Sequence, residues 1–77
     1  MQRVGTVSKT AQRLALVRWE GDADDRPDIG LMVVDESLST VGRVVDVFGP
    51  VDRPYLAVSP GDGVRPADLL GQKLYAR

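Results

Sequence analysis

Val41-Gly42-Arg43-Val44-Val45-Asp46-Val47-Phe48-Gly49-Pro50-Val51-Asp52-Arg53-Pro54-Tyr55-Leu56-Ala57-Val58 decides the fold. Its first run carries β-branched or aromatic residues at Val41, Val44, Val45, Val47 and Phe48. Such side chains suit a pleated, partly buried surface better than a helix turn. Gly49-Pro50 ends the run. Proline fixes φ and has no backbone donor, so Pro50 and Pro54 confine residues 49–54 to a stiff connection. The extended pattern resumes over residues 55–58, which predicts two strands joined by a proline-bracketed turn.

Strict alternation places Val41, Arg43, Val45 and Val47 on one face of the first strand and Gly42, Val44, Asp46 and Phe48 on the other. Neither face is cleanly polar. Only one face of each strand meets the core of a small barrel, so the surplus apolar residues need cover from the chain's own loops or from another protein.

Outward from this centre, residues 3–7 and 13–19 read as strands joined by a polar connection at 8–12. Residues 29–34 make a third strand, followed by a turn at Asp35-Glu36-Ser37. Residues 59–63 read as a turn by composition. Pro66 opens and Gly71 closes a single helical turn expected to tuck Leu69 and Leu70 under the barrel, and residues 72–76 form the last strand. About six short strands with one helical turn predict an all-β domain over residues 1–77: a small six-stranded antiparallel barrel, whose closure removes edges a short chain cannot otherwise protect.

At 77 residues with no cysteine, stability must come from packing or from a partner. The absence of His and Cys removes the usual zinc sites and every His- or Cys-dependent catalytic arrangement. Asp22, Asp24 and Asp25 in the acidic segment 20–28 partly match a calcium loop, but the turn glycine and the terminal bidentate Glu are misplaced, so a solvated loop is expected. Asp35 and Glu36 are adjacent and would point to opposite faces of a strand, which denies them a paired-carboxylate role. The expectation is a protein that is not an enzyme, with no cofactor and no metal. A net charge of −1 gives no overall case for gripping a phosphate backbone. No run approaches a membrane span and residues 1–5 lack a signal-peptide core, so a soluble, cytoplasmic protein is expected.

The phrase Asp46-Val47-Phe48-Gly49-Pro50-Val51, two further residues, then Pro54-Tyr55 resembles the core signature of the Gar-type subunit of H/ACA ribonucleoproteins. Arg3-Val4-Gly5, Val33-Val34-Asp35 and Gly71-Gln72-Lys73-Leu74-Tyr75 fit the same layout, so the resemblance covers almost the whole chain. It implies a non-catalytic six-stranded barrel that docks on a dyskerin-type pseudouridine synthase within a guide-RNA particle. There it would bias a mobile loop of the synthase between RNA-holding and RNA-releasing positions, with RNA contact of its own indirect or weak. Without Gly/Arg-rich tails, the chain looks like an archaeal, minimal member. By position, Phe48, Gly49, Pro50, Val51, Pro54 and Tyr55 match the signature, and with the flanking Arg43 and Val45 they are the candidate partner-binding residues. The competing role for Phe48 and Tyr55 is in the core.

Two other readings fit parts of the chain. Val34-Asp35 followed by residues 41–47 also suits PRC-barrel-like adaptor modules, which bind other protein partners. A free-standing OB- or Sm-like RNA-binding barrel would need aromatic residues interleaved with basic ones on one sheet, and only Trp19, Phe48, Tyr55 and Tyr75 are available for that.

Overall fold

Apolar alternation with proline and glycine punctuation produces six strands: β1 (Gln2–Ala11), β2 (Leu14–Arg18), β3 (Met32–Val34), β4 (Thr40–Phe48), β5 (Tyr55–Pro60) and β6 (Lys73–Ala76). In the computed structural model, which describes residues 2–76 except for the side chain at position 23, they close into an antiparallel barrel. The order around it is β1-β2-β5-β4-β3-β6, returning to β1. No α-helix occurs among the described residues, where two single 3-10 turns occupy Ala23–Asp25 and Pro66–Leu69.

The interior is a valine and leucine core. Val4 and Val7 from β1, Val17 from β2, Val33 from β3, Val44 from β4, Leu56 and Val58 from β5 and Leu74 from β6 are all essentially inaccessible. No charged or polar residue is buried with them among the described residues. Leu69 plugs one end, held there because Gly71 donates its N–H to the Val7 carbonyl (3.0 Å) and Val7 donates to Gln72 (3.0 Å). Leu70 stays exposed, so the expected helical turn contributes one leucine and not two. Trp19, just past β2, is 3% exposed. Its Nε1 donates to the Asp22 carbonyl at 2.6 Å, which folds the acidic segment back onto the barrel.

Three expectations are corrected. First, β1 runs on to Ala11 through the stretch expected to be a polar connection, because Lys9, Thr10 and Ala11 pair with Leu16, Ala15 and Leu14. These residues are exposed, so no apolar period marks them as strand. The loop is only Gln12-Arg13, with φ of 52° and 67°, the left-handed pair that matches hairpin twist. Second, Ser59 and Pro60 belong to β5. Pro60 lies opposite Gly42, where an added Cβ would overlap the Ser59 carbonyl.

Third, the central strand departs from strict alternation. The register of β4 on β5 shifts between Val44 and Asp46: Val44 faces Val58 and Asp46 faces Ala57, leaving Val45 as the extra residue of a bulge. A bulge reverses the side-chain alternation beyond it. Val44 and Val47 therefore both pack on the core, while Asp46 and Phe48 join Arg43 among the exposed residues. A second shift, between Val33 and Val34 on the β3 side, sets Val41 in the core as well. The surplus apolar surface inferred from strict alternation shrinks to Phe48 and the half-buried Val45.

Leu56→Ala should lower unfolding stability by about 2–5 kcal/mol, the range for emptying a packed leucine site, whereas Ile29→Ala, at an exposed position, should stay within about 0.5 kcal/mol. Gly42→Ala should destabilise by about 1–3 kcal/mol through overpacking against β5. Urea titration followed by Trp19 fluorescence reads all three.

Candidate partner-binding face

The bulge and the proline turn together build one exposed face. Tyr55 begins β5 between two neighbours, paired across the ladder with Arg18 of β2 and with Phe48 of β4. Directly opposed residues of an antiparallel pair point to the same side of the sheet, so the three side chains stand in a row. The Phe48 and Tyr55 rings lie 5.6 Å apart between centroids at 17°, a stacked pair. From the other side, Arg18 Nη2 donates to Tyr55 Oη at 2.7 Å while its guanidinium carbon sits 5.0 Å from the ring centroid. Lys9 Nζ comes within 5.7 Å of the same centroid. Neither ring belongs to the interior cluster, and Phe48 is 43% exposed.

The turn follows from its composition. Gly49 takes φ of 95°, where a side chain would be strained, and Arg53 donates its N–H to the Pro50 carbonyl at 3.2 Å. Val51 is carried out at the tip, 89% exposed. Pro54 turns inward and is buried, with its carbonyl accepting the Trp19 N–H at 3.0 Å.

The eight candidate residues thus separate. Phe48, Gly49, Pro50 and Val51 are exposed and contiguous, and Tyr55, half-buried, stacks on Phe48. Pro54 is a buried hinge of the turn and Val45 the half-buried bulge residue. Arg43 is exposed but lies opposite Ser59, at the far end of the β4–β5 ladder from Phe48. Sequence reasoning passed over Lys9 and Arg18, whose place beside Tyr55 depends on the register of β1, β2 and β5. Leu16 and Ala57 were also hidden: they are 7% and 2% exposed yet lie outside the interior cluster, paired with each other on the outer side.

No group of His, Cys, Asp and Glu among the described residues could hold a metal ion. Glu20 and Asp52 line one open cleft beside Arg18 and Arg53, but Glu20 is engaged by Arg3 Nε at 3.3 Å.

Residues 1–77 match the family described as the Gar1/Naf1 RNA binding region. The chain belongs to that family. Its membership identifies the chain as a Gar-type H/ACA subunit and favours this reading over the PRC-barrel-like one. The solved structure of the Gar1 domain of Naf1 superposes with a TM-score of 0.69 over 99% of this chain and 81% of that one, at 13% sequence identity, so the two share a fold although little sequence is shared. An uncharacterised protein of Methanothermobacter thermautotrophicus is 24% identical over 78 aligned positions, covering 97% of this chain and 82% of the relative.

Because Val51 and Phe48 stand outside the core, Val51→Asp should leave the melting midpoint unchanged, within about 0.5 kcal/mol of wild type. Phe48→Ala should cost only about 0.5–1.5 kcal/mol, the value of a stacked aromatic pair. Thermal unfolding by circular dichroism checks both.

Proposed function

We propose that the chain is a non-catalytic subunit of the H/ACA guide-RNA pseudouridylation particle. In this reading it docks on the dyskerin-type pseudouridine synthase and promotes substrate loading and product release during rRNA and tRNA modification. Membership of the Gar1/Naf1 family supports it. The observation that carries it is the Phe48–Tyr55 stack, with Phe48 exposed, at the base of a proline-stiffened turn that carries the exposed Val51. Aromatic anchors on a preorganised turn lose little conformational entropy on binding, which is what an interface hot spot requires. A chain without His or Cys also supplies none of the usual nucleophile and base pairs, so the chemistry belongs to the partner.

The test is a pull-down of the purified chain with a dyskerin-type synthase of the same organism, with and without guide RNA, followed by multiple-turnover pseudouridylation. Binding without RNA, faster turnover and no activity from the small chain alone are expected. Tyr55→Ala and Val51→Asp should weaken docking at least about tenfold, or 1.4 kcal/mol, and should do so more than they weaken folding. If melting falls in step with affinity, these residues serve the fold and the docking assignment is wrong.

A second reading, direct contact with RNA, is favoured by the family's description and by one feature of the opposite end of the β2–β5–β4 sheet. Arg13 and Arg65 line a pocket with Ser59 and Pro60, and Arg43 lines the adjoining one. Guanidinium groups so placed suit phosphate oxygens. With a net charge of −1 the isolated chain should nonetheless bind guide RNA more weakly than about 100 µM at physiological salt, as read by fluorescence anisotropy. Tighter binding, lost in Arg13→Ala and Arg65→Ala, would favour this reading.

A further inference from the structure

We infer that the docking face extends from the proline turn across β2 to β1, and that it receives a protein segment pairing aliphatic side chains with a carboxylate. This rests on the docking reading above and specifies the chemistry of the partner.

The outer side of the sheet can be laid out from its register. One row runs Arg18, Tyr55, Phe48, and the next runs Lys9, Leu16, Ala57, Asp46. In the second row Leu16 and Ala57 lie outside the interior cluster and are themselves buried, so the accessible apolar surface of this face is the Phe48 ring. Both cations lean toward Tyr55, and among the described residues neither Lys9 nor Arg18 has an ion pair. Glu20, next in sequence to Trp19, is held by Arg3 instead. An exposed Phe48 ring and Val51 tip, with these two cations free of ion pairs gathered at Tyr55, are complementary to a segment presenting aliphatic groups and one acidic group.

The same geometry argues against a nucleobase as the occupant. Stacking needs an open ring face. Tyr55 has Arg18 on one side and Phe48 on the other, because β2 and β4 flank β5, so its ring is offered by its edge. Only the outer face of Phe48 remains, and a single ring makes no platform for successive bases.

Arg18 has a second task as a positioning residue. Its hydrogen bond to Tyr55 Oη sets the ring upright against Phe48 before any partner arrives, so less ordering is left to the moment of binding.

The experiment measures affinity of the full chain for the dyskerin-type synthase across a salt series, with Lys9→Glu, Arg18→Gln and, as control, Lys73→Glu on β6, at a position that pairs with Thr6 and lies outside both rows. Lys9→Glu should lower affinity about tenfold at low salt and progressively less as salt rises, since charges across an interface act through screened steering and pairing. Arg18→Gln should lower it with weaker salt dependence, and Lys73→Glu should leave it within about twofold. Circular dichroism melting of each variant, unchanged, separates docking from folding. Tight binding by wild type that neither Lys9→Glu nor Arg18→Gln moves overturns this inference alone. No binding by wild type overturns the docking reading and this inference with it. Oligouridine that shifts the amide resonances of Lys9, Arg18 and Phe48, where the synthase does not, identifies RNA as the occupant and overturns it too.

Discussion

One extra residue in the middle of β4 governs what this barrel shows to its surroundings. A strand without a bulge would alternate strictly, and Val44 and Val47 would then lie on opposite faces. The register shift between Val44 and Asp46 lets both pack inward against Leu56, Val58 and their neighbours. Beyond the shift the strand presents Phe48 outward, opposite Tyr55. The bulge thus serves the core and the surface at once. Without it, either a valine would be stranded in solvent or the aromatic pair would be turned into a space too small for it. Bulges commonly re-aim a side chain next to a functional surface, and the geometry here follows that pattern.

Closure of the sheet is the companion constraint. β6 pairs with both β1 and β3, so the two ends of the sheet are joined and no long ladder edge is left open. A barrel of this size has only one layer, and its stability depends on filling a narrow interior with aliphatic side chains. The small residues follow from the same economy of space: Gly42, on the inner side opposite Val33, lies where the β5 backbone passes closest, and Ala57 lies on the outer side between Leu16 and Asp46. The proline turn then adds stiffness where an apolar tip, Val51, is held 89% exposed to water.

Much of the architecture was legible along the chain. The valine-rich strands, the Gly49-Pro50 stop, the helical turn opened by Pro66 and the all-antiparallel barrel all follow from local chemistry that acts at short range. The misreadings share a cause. Residues 8–11 carry no apolar period because they are a strand on a solvated flank, and Ser59-Pro60 looks like a turn although Pro60 ends a strand opposite Gly42. The candidate site was legible as a segment and less so residue by residue. Phe48, Val51 and Tyr55 stand exposed or half-exposed, but Pro54 is buried. Lys9 and Arg18 carried no local mark, since each is one cation in a short alternating strand until the register brings it over the Tyr55 ring.

The sequence by itself determined the class of fold, the position of the rigid turn, the absence of His and Cys chemistry and the family signature, because each depends on residue identity or on neighbours a few positions away. Only the tertiary structure decided which valines of β4 face the core, which aromatic rings stand outside and which cations attend them. A bulge shifts alternation by one residue, and whether it forms depends on the partner strand; that pairing, between residues about ten positions apart or more, is set by closure of the whole barrel.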